Sequence, residues 1–227
     1  MGSKKILVTG ASRGIGKALV EYLAKDHQVL ATARNEVALD ALQLDTDCEV
    51  YPFDLEKLDY SGLQEAVEHK LGGIDILIHN AGLLINKPLR QFTRDDILRQ
   101  YQVNVFSLFQ MMQSFEPLFN RNAHIVALGS MGGFMGSSKF PGLSAYSSSK
   151  GALAVLIECL QEEYKESSWA FNCLALGAVQ TEMLQEAFPG YEAPLQSFEM
   201  ASYIGDFSLG GHKVLRGKVL PISLSNP

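Results

Sequence analysis

Tyr146 and Lys150 are the residues of this sequence best suited to proton chemistry. They stand four positions apart at the start of a predicted helix, where that spacing places two side chains on one face. The pKa of a free phenol is near 10. A lysine ammonium about 4 Å away contributes on the order of 4 kcal/mol at an effective dielectric of about 20. We therefore expect the pKa of Tyr146 to be lowered toward physiological pH, so that the phenol can exchange a proton with a substrate oxygen.

Ser130 is the second candidate for chemistry, because it follows a short apolar segment, His124–Leu128, that predicts a buried strand. Open parallel sheets bind their ligands at the carboxyl ends of the strands. A hydroxyl at that edge can donate a hydrogen bond to a substrate oxygen and polarise it. A tyrosine and a lysine four positions apart are common on ordinary amphipathic helices, so the prediction depends on Ser130 and on the glycine-rich segment described next.

A glycine-rich segment, TGASRGIG from Thr9 to Gly16, lies between a predicted strand and a helix that we expect to begin near Gly14. Backbone N–H groups and the helix dipole at such a position favour a pyrophosphate. Glycine also lets the main chain approach phosphates without a Cβ in the way. A plain turn is the alternative, but a strand before and a helix after the segment are the context that a dinucleotide site requires.

The choice between the two nicotinamide dinucleotides depends on charge at the end of the second predicted strand, Gln28–Ala33. An acid at that position would bind the ribose 2'-hydroxyl and repel a 2'-phosphate. This sequence has Arg34 there, and Arg13 lies in the glycine-rich segment. Each arginine alone could be a solvated surface residue, but two guanidiniums together form a phosphate clamp. The sequence therefore predicts NADP(H).

Short apolar segments alternate with segments of helical period along the chain, which predicts a parallel sheet with helices on both faces. We expect an α/β fold of the Rossmann type, doubly wound, in one domain over residues 1–227. The seven expected strands are Lys5–Thr9, Gln28–Ala33, Glu49–Phe53, Ile74–His79, His124–Leu128, Ala170–Ala175 and Lys218–Ile222.

Two long helices are expected at Arg94–Phe119 and Ser144–Lys165, and both are apolar or small on more than one side. Such helices often pack against a second subunit, so a homodimer or homotetramer is expected. The irregular segment Thr181–Gly205 is a candidate substrate lid, because loops of that length in a domain are usually functional.

The charge and hydropathy pattern excludes several classes of partner. The formal net charge is −6 and the basic residues are scattered, which argues against nucleic acid. No apolar stretch approaches the roughly 18 residues that span a membrane, and no leader pattern is visible. No cluster of histidine and carboxylate residues has the spacing of a metal site. We expect a soluble cytoplasmic protein without a metal.

The order and separation of these motifs resemble the short-chain dehydrogenase/reductase family, in its classical, NADP(H)-preferring form. The glycine spacing is Gly-xxx-Gly-x-Gly rather than the commoner Gly-x-Gly-xx-Gly. The resemblance extends over nearly the whole chain and includes Asp54, Asn80-Ala81-Gly82, Asn104, Ser130 and the Tyr146-Ser-Ser-Ser-Lys150 segment. It implies hydride transfer between NADP(H) and a carbonyl or alcohol substrate, and an NADPH-dependent carbonyl reductase is the form we expect.

The resemblance also implies a role for each matching residue. Lys150 would hold the nicotinamide ribose, and Asn104 would open the helix and seat a water that links Lys150 to solvent. Asp54 would bond near the adenine, and Val179 and Thr181 would meet the carboxamide and phosphate. The expected catalytic residues are Asn104, Ser130, Tyr146 and Lys150. The expected cofactor contacts are Gly10, Ser12, Arg13, Gly14, Ile15, Gly16, Arg34, Asp54, Leu55, Asn80, Ala81, Gly82, Tyr146, Lys150, Val179 and Thr181.

Three features depart from the family pattern. Leu176 replaces the usual proline before Gly177, Gly129 stands where a serine often precedes the catalytic serine, and the lid is short. A short lid implies an open pocket for varied or bulky carbonyls, which leaves pterins, 3-oxoacyl thioesters, steroids and small ketones as candidate substrates. The alternative function is a catalytically silent NADP(H) sensor or interaction protein. A sugar-nucleotide epimerase would have different glycine spacing and a larger C-terminal domain.

Overall fold

A seven-stranded parallel sheet forms the centre of the protein, in a computed structural model that describes residues 2–224. Its strands are β1 (Lys5–Thr9), β2 (Gln28–Ala33), β3 (Glu49–Pro52), β4 (Ile74–His79), β5 (Phe119–Ser130), β6 (Ala170–Leu176) and β9 (Lys218–Ile222). This sheet confirms the predicted Rossmann-type fold, and its strand order is β3-β2-β1-β4-β5-β6-β9. The change of direction between β1 and β4 creates the crevice in which such sheets bind ligands.

Helices cover both faces of the sheet, and a second sheet of two short parallel strands, β7 (Val179–Gln180) and β8 (Leu195–Gln196), lies beyond β6. The helices are α1 (Gly14–Leu23), α2 (Glu36–Asp45), α3 (Ser61–Lys70), α4 (Arg94–Tyr101), α5 (Ser107–Phe115), α6 (Ser144–Glu163), α7 (Glu182–Ala187) and α8 (Ser197–Gly210).

The sheet divides the hydrophobic core into two layers, because successive side chains of a strand point to opposite faces. Within β1, Leu7 packs with residues of α3, α5 and α6, whereas Ile6 and Val8 pack with residues of α1, α2 and α8. All three side chains are fully buried. Apolar residues therefore run continuously along the strand, as expected for a sheet covered on both sides.

The predicted helix Arg94–Phe119 is wrong as a single element. The segment contains α4, a π-helix at Gln102–Phe106, α5 and a short 3-10 turn, and Phe119 already belongs to β5. The Ser107 N–H group bonds to the Gln102 carbonyl five residues back, which is the π pattern. Hydrophobic periodicity does not detect such a widened turn, because the apolar face continues on both sides of it.

Two other predictions differ from the structure by more than two residues. The predicted lid Thr181–Gly205 is not an irregular loop, because it contains α7, β8 and most of α8. Thr181 and Gln196 act as the N-caps of α7 and α8. The fifth strand also extends well beyond its predicted limits, His124–Leu128. Polar residues at its start conceal the strand from a search for apolar segments.

Within residues 2–224, no helix is long and apolar enough to cross a membrane. Over the same residues, no group of three or more histidine, cysteine, aspartate or glutamate side chains is placed to bind a metal ion.

Candidate active site

A cavity of about 810 Å³ opens at the carboxyl edge of the sheet. Every residue expected from the sequence to contact the cofactor lines it, and so do the candidate catalytic residues Ser130, Tyr146 and Lys150. Asn104 is fully buried and does not line the cavity. The fold thus brings together motifs that are separated by more than a hundred positions in the sequence.

The glycine-rich segment fits tightly against the end of β4. Gly10 adopts a φ of 69°, and a Cβ there would lie 2.7 Å from the Ala81 Cα. A Cβ on Gly16 would overlap the carbonyl oxygen of Gly10. The Asn80 side chain donates to the Thr9 and Gly10 carbonyls at 2.8 and 3.1 Å. These contacts hold an open, side-chain-free cradle at the edge of the sheet.

The N-terminus of α1 has the free donors that an anion needs. Its N-cap, Arg13, makes no capping hydrogen bond, and the first turn has no acidic residue. By contrast, α2, α4 and α7 are each capped by a side-chain oxygen, from Asn35, Thr93 and Thr181. Uncapped N–H groups beside a glycine cradle suit the pyrophosphate of a dinucleotide.

Both arginines expected to clamp a 2'-phosphate line the cavity, but each has a carboxylate partner that the sequence analysis missed. Arg13 forms a two-pronged ion pair with Glu186 of α7. Arg34 contacts Glu56 at 3.3 Å, and Arg99 bonds the same carboxylate at 2.8 and 2.9 Å. The Arg99 guanidinium, more than Arg34, holds the pKa of Glu56 below its usual value.

Lys150 is the buried cation of the site. It projects from α6, is 4% exposed, and donates a 2.8 Å hydrogen bond to the Leu128 carbonyl near the end of β5. Burial lowers the pKa of its ammonium to about 8. Its Nζ lies 6.0 Å from the centre of the Tyr146 ring. The four-residue spacing therefore places both groups on one face of α6, as predicted.

The expected lowering of the Tyr146 pKa is wrong for this structure. Burial raises the pKa of the phenol, and a hydrogen bond with Ser130 lowers it by a smaller amount. The hydrogen bond that Lys150 makes goes to the Leu128 carbonyl. Tyr146 is consequently protonated at neutral pH.

Ser130 ends β5 and faces the cavity beside Tyr146. Its Oγ accepts a 3.1 Å hydrogen bond from the Gly132 N–H group, which fixes the hydroxyl at the start of the following turn. Gly129, which precedes Ser130 where the family often has a serine, has a steric reason. A Cβ on Gly129 would lie 2.7 Å from the Cys173 Sγ, so a serine here would require Cys173 of β6 to move.

Asn104 lies in the π-helix and connects three elements behind the site. Its Oδ1 accepts from the Leu83 N–H group at 2.8 Å, and its Nδ2 donates to the Leu83 carbonyl at 3.0 Å. Nδ2 also donates to the Ser149 Oγ at 2.9 Å. Ser149 is not among the predicted site residues, although its position between Tyr146 and Lys150 in the sequence could have indicated it. The amide thus connects the segment that follows β4 to α6.

Comparisons with known proteins agree with this geometry. A model of short chain dehydrogenases matches residues 4–192. An L-2,3-butanediol dehydrogenase of Corynebacterium glutamicum is 33% identical over 81% of this chain and 75% of its own length. A gluconate 5-dehydrogenase of Gluconobacter oxydans is 31% identical over 82% and 75%. The RhlG/NADP active-site complex of Pseudomonas aeruginosa superposes with a TM-score of 0.85 at 25% identity, covering 98% of this chain and 96% of that one.

Proposed function

The chain belongs to the short-chain dehydrogenase family, and from that premise we propose that it is an NADP(H)-dependent oxidoreductase. It transfers hydride between the nicotinamide and a carbonyl or alcohol substrate, and it acts mainly as an NADPH-dependent carbonyl reductase. The observation that carries this proposal is the shared cavity, in which Ser130, Tyr146 and Lys150 lie beside an uncapped helix N-terminus and a glycine cradle.

The residues around the cradle would hold the dinucleotide. The first turn of α1 would donate to the pyrophosphate, and Asp54 and Asn80 would flank the adenosine. Lys150 would bind the nicotinamide ribose, and Thr181 would approach the phosphate end. When bound, the nicotinamide supplies the hydride in reduction and accepts it in oxidation. The relative from Pseudomonas aeruginosa, described with NADP, supports this assignment.

Tyr146 acts as the acid when a carbonyl is reduced. Its raised pKa keeps the phenol protonated at neutral pH, which is the form that can donate a proton to the substrate oxygen. Ser130 donates a hydrogen bond to the same oxygen and stabilises the negative charge that develops there. Lys150 stabilises the phenolate that remains, because a nearby cation favours the charged form.

Asn104 is a positioning residue in this proposal. Its side chain already bonds the Leu83 backbone and Ser149, so it holds the segment after β4 against α6. As the family resemblance implies, a water seated near this π turn would return a proton from solvent to Lys150. This relay replenishes the phenol after each turnover.

We also propose that the protein forms a homodimer or homotetramer. Three large apolar side chains on neighbouring helical segments, Phe106, Phe109 and Val155, are between 41% and 58% exposed. They lie on the π-helix, α5 and α6. Apolar surface of this kind is commonly covered by a second subunit. Light scattering at micromolar concentration tests the proposal, and a monomer would refute it.

Calorimetry with NADPH and NADH, followed by turnover of a carbonyl panel at 340 nm, tests the proposed enzyme function. We expect NADPH to bind at least about 10-fold more tightly than NADH and to be oxidised by at least one carbonyl. Equal affinities would refute the NADP(H) preference. Tight binding without turnover of any carbonyl would favour a cofactor sensor over an enzyme.

A further inference from the structure

Three segments enclose the part of the cavity beyond the catalytic groups, and we call them the substrate walls. They are residues 83–88 after β4, residues 131–143 after β5, and residues 182–191, which include α7. Each comes from a different part of the chain, so their contacts decide the shape and polarity of the space into which a substrate extends.

Hydrogen bonds between main-chain and side-chain groups join the three substrate walls. The Asn86 side chain donates to the Ala187 carbonyl at the end of α7, at 2.9 Å. The next residue, Lys87, donates its N–H group to the Gly142 carbonyl at 3.1 Å. The first wall therefore connects the other two, and all three surround one space.

Apart from Glu182 and the phenol of Tyr191, the side chains of the substrate walls that line the cavity are apolar. Phe140 and Tyr191, at the mouth, are 51% and 49% exposed, so one end of the space reaches solvent. The other apolar lining side chains lie further from the mouth and come from all three walls. The apolar lining residues used in this argument are Leu84, Met131, Phe140, Leu143, Met183 and Phe188.

The charged residues of the substrate walls are bound elsewhere. Lys87 pairs with Asp96 at 2.8 Å, and Lys139 bonds main-chain and hydroxyl oxygens of its own loop. Glu186 pairs with Arg13. None of these three ionic side chains faces the space between the walls, so they do not supply a counter-ion to a substrate.

Glu182 is the one further charged residue of the walls, and it belongs to the opposite end of the cavity. Its carboxylate lies 3.5 Å from the position that a Cβ on Gly14 would take, beside the glycine cradle. Among the described residues that line the cavity, the charged side chains other than Lys150 and Glu182 therefore come from the segments around the glycine cradle and the ends of β2 and β3.

Building on the proposed function, we infer that the substrate is an uncharged, apolar carbonyl compound, such as an alkyl or aryl ketone. Its carbonyl oxygen meets Tyr146 and its tail lies along the substrate walls. A carboxylate or phosphate placed in this space would lose its hydration without gaining a counter-ion, which is costly. A polyol would leave several hydroxyl groups without hydrogen-bond partners.

The methyl ketones from 2-butanone to 2-octanone test this inference with NADPH as the cofactor. We expect kcat/KM to rise about fourfold for each added methylene group, the gain for burying one such group. The increase should level off when the tail reaches the exposed mouth. The charged isostere 7-oxooctanoate has the length of 2-octanone, and its kcat/KM should be at least about 10-fold lower.

A pair of matched variants locates the effect on the substrate walls. Phe188→Ser should flatten the dependence on chain length, because it removes apolar surface next to the tail. Phe198→Ser changes the same residue type on α8, where the side chain is 67% exposed and does not line this cavity. That control should keep the wild-type dependence. Equal dependence in both variants would overturn the inference.

Binding measurements separate this inference from the proposed function. Calorimetry with the oxidised cofactor present, where no ketone is reduced, should rank 2-octanone above 2-butanone and 7-oxooctanoate. That ranking without any turnover at 340 nm would overturn the proposed enzyme and leave the apolar site standing. Turnover that favours 7-oxooctanoate or dihydroxyacetone would overturn the apolar site and leave the enzyme standing.

Discussion

The two ends of the cavity hold their polar side chains by different means. At the catalytic end, Lys150 and Asn104 are buried and bond main-chain groups inside the fold. At the cofactor-ribose end, the side chains of Arg13 and Arg34 are 47% and 59% exposed and bond carboxylates at the surface. The buried groups are thus in place before any ligand binds, whereas under the proposed function the arginines would exchange a carboxylate for the 2'-phosphate.

This difference sets the size of the effects that mutation should have. Leaving a buried polar group without its partner destabilises a protein more than breaking an exposed ion pair does. An exposed ion pair typically contributes about 0.2–1 kcal/mol. Changes at the catalytic end should therefore be large and should affect turnover or folding. Changes at the ribose end should be small and should affect the choice of cofactor.

Replacing Tyr146 by phenylalanine should have the largest effect. The variant keeps the ring and its packing but loses the proton donor, so kcat should fall by about 10²–10⁴-fold while the Kd for NADPH changes little. Lys150→Ala should impair both, because it also removes the ribose contact. Turnover at 340 nm and calorimetry measure the two quantities. Near wild-type turnover in Tyr146→Phe would show that another group supplies the proton.

The burial of the catalytic end should also appear as acid sensitivity through His79. Burial, and to a smaller extent the charge of Lys150, lower the pKa of this imidazole to about 3. The unfolded chain binds the proton near pH 6.5 and the folded protein does not, so stability is lost as the pH falls from about 6.5 toward 3. Between pH 7.5 and 5, protonation linked to His79 should lower the free energy of unfolding by about 2 kcal/mol.

Urea unfolding of the wild type and His79→Gln at pH 7.5, 6.5 and 5 measures that loss. All other groups titrate equally in the two proteins, so the test compares how much stability each protein loses between pH 7.5 and 5. A destabilisation of the variant that is the same at every pH cancels in this comparison. The variant should lose about 2 kcal/mol less than the wild type over this range. Parallel pH profiles would mean that His79 is protonated in the folded state.

At the ribose end, Arg34→Ala should reduce the preference for NADPH over NADH by about 10-fold, equivalent to about 1.4 kcal/mol. The NADH affinity should stay nearly constant, because NADH has no 2'-phosphate. Arg94→Ala removes an arginine that does not line the cavity, and it serves as the control. An unchanged ratio of the two affinities in Arg34→Ala would rule out this arginine as the selecting residue.

The smallest expected effect is a gain in the affinity for NADPH. Glu186→Gln removes the carboxylate that occupies Arg13, so the Kd for NADPH should fall by up to about fivefold, the value of an exposed ion pair. Glu162→Gln breaks a comparable surface pair with Lys165 and should leave the affinity unchanged. Weaker NADPH binding in Glu186→Gln would mean that the ion pair orders the cofactor site instead of competing for it.

The sequence predicts the fold and the composition of the cavity well, because both depend on local patterns. Strand periodicity locates the seven sheet strands, and the glycine spacing and the Tyr146–Lys150 spacing need only their immediate context. The roles of the individual site residues remain predictions. The pairing of Arg13 with Glu186 joins residues 173 positions apart, and no local pattern contains it. The raised pKa of Tyr146 likewise depends on burial, which forms only in the folded chain.

The π-helix at Gln102–Phe106 also sets the rotational phase of α5. An α-helix turns by about 100° per residue, and a π turn holds one residue more than an α turn. With that extra residue in place, Leu108, Met111 and Phe115 are fully buried in the core. Deleting one residue from the π-helix would rotate all three side chains away from the sheet together. The segment that positions Asn104 is therefore also a place where the chain cannot change its length.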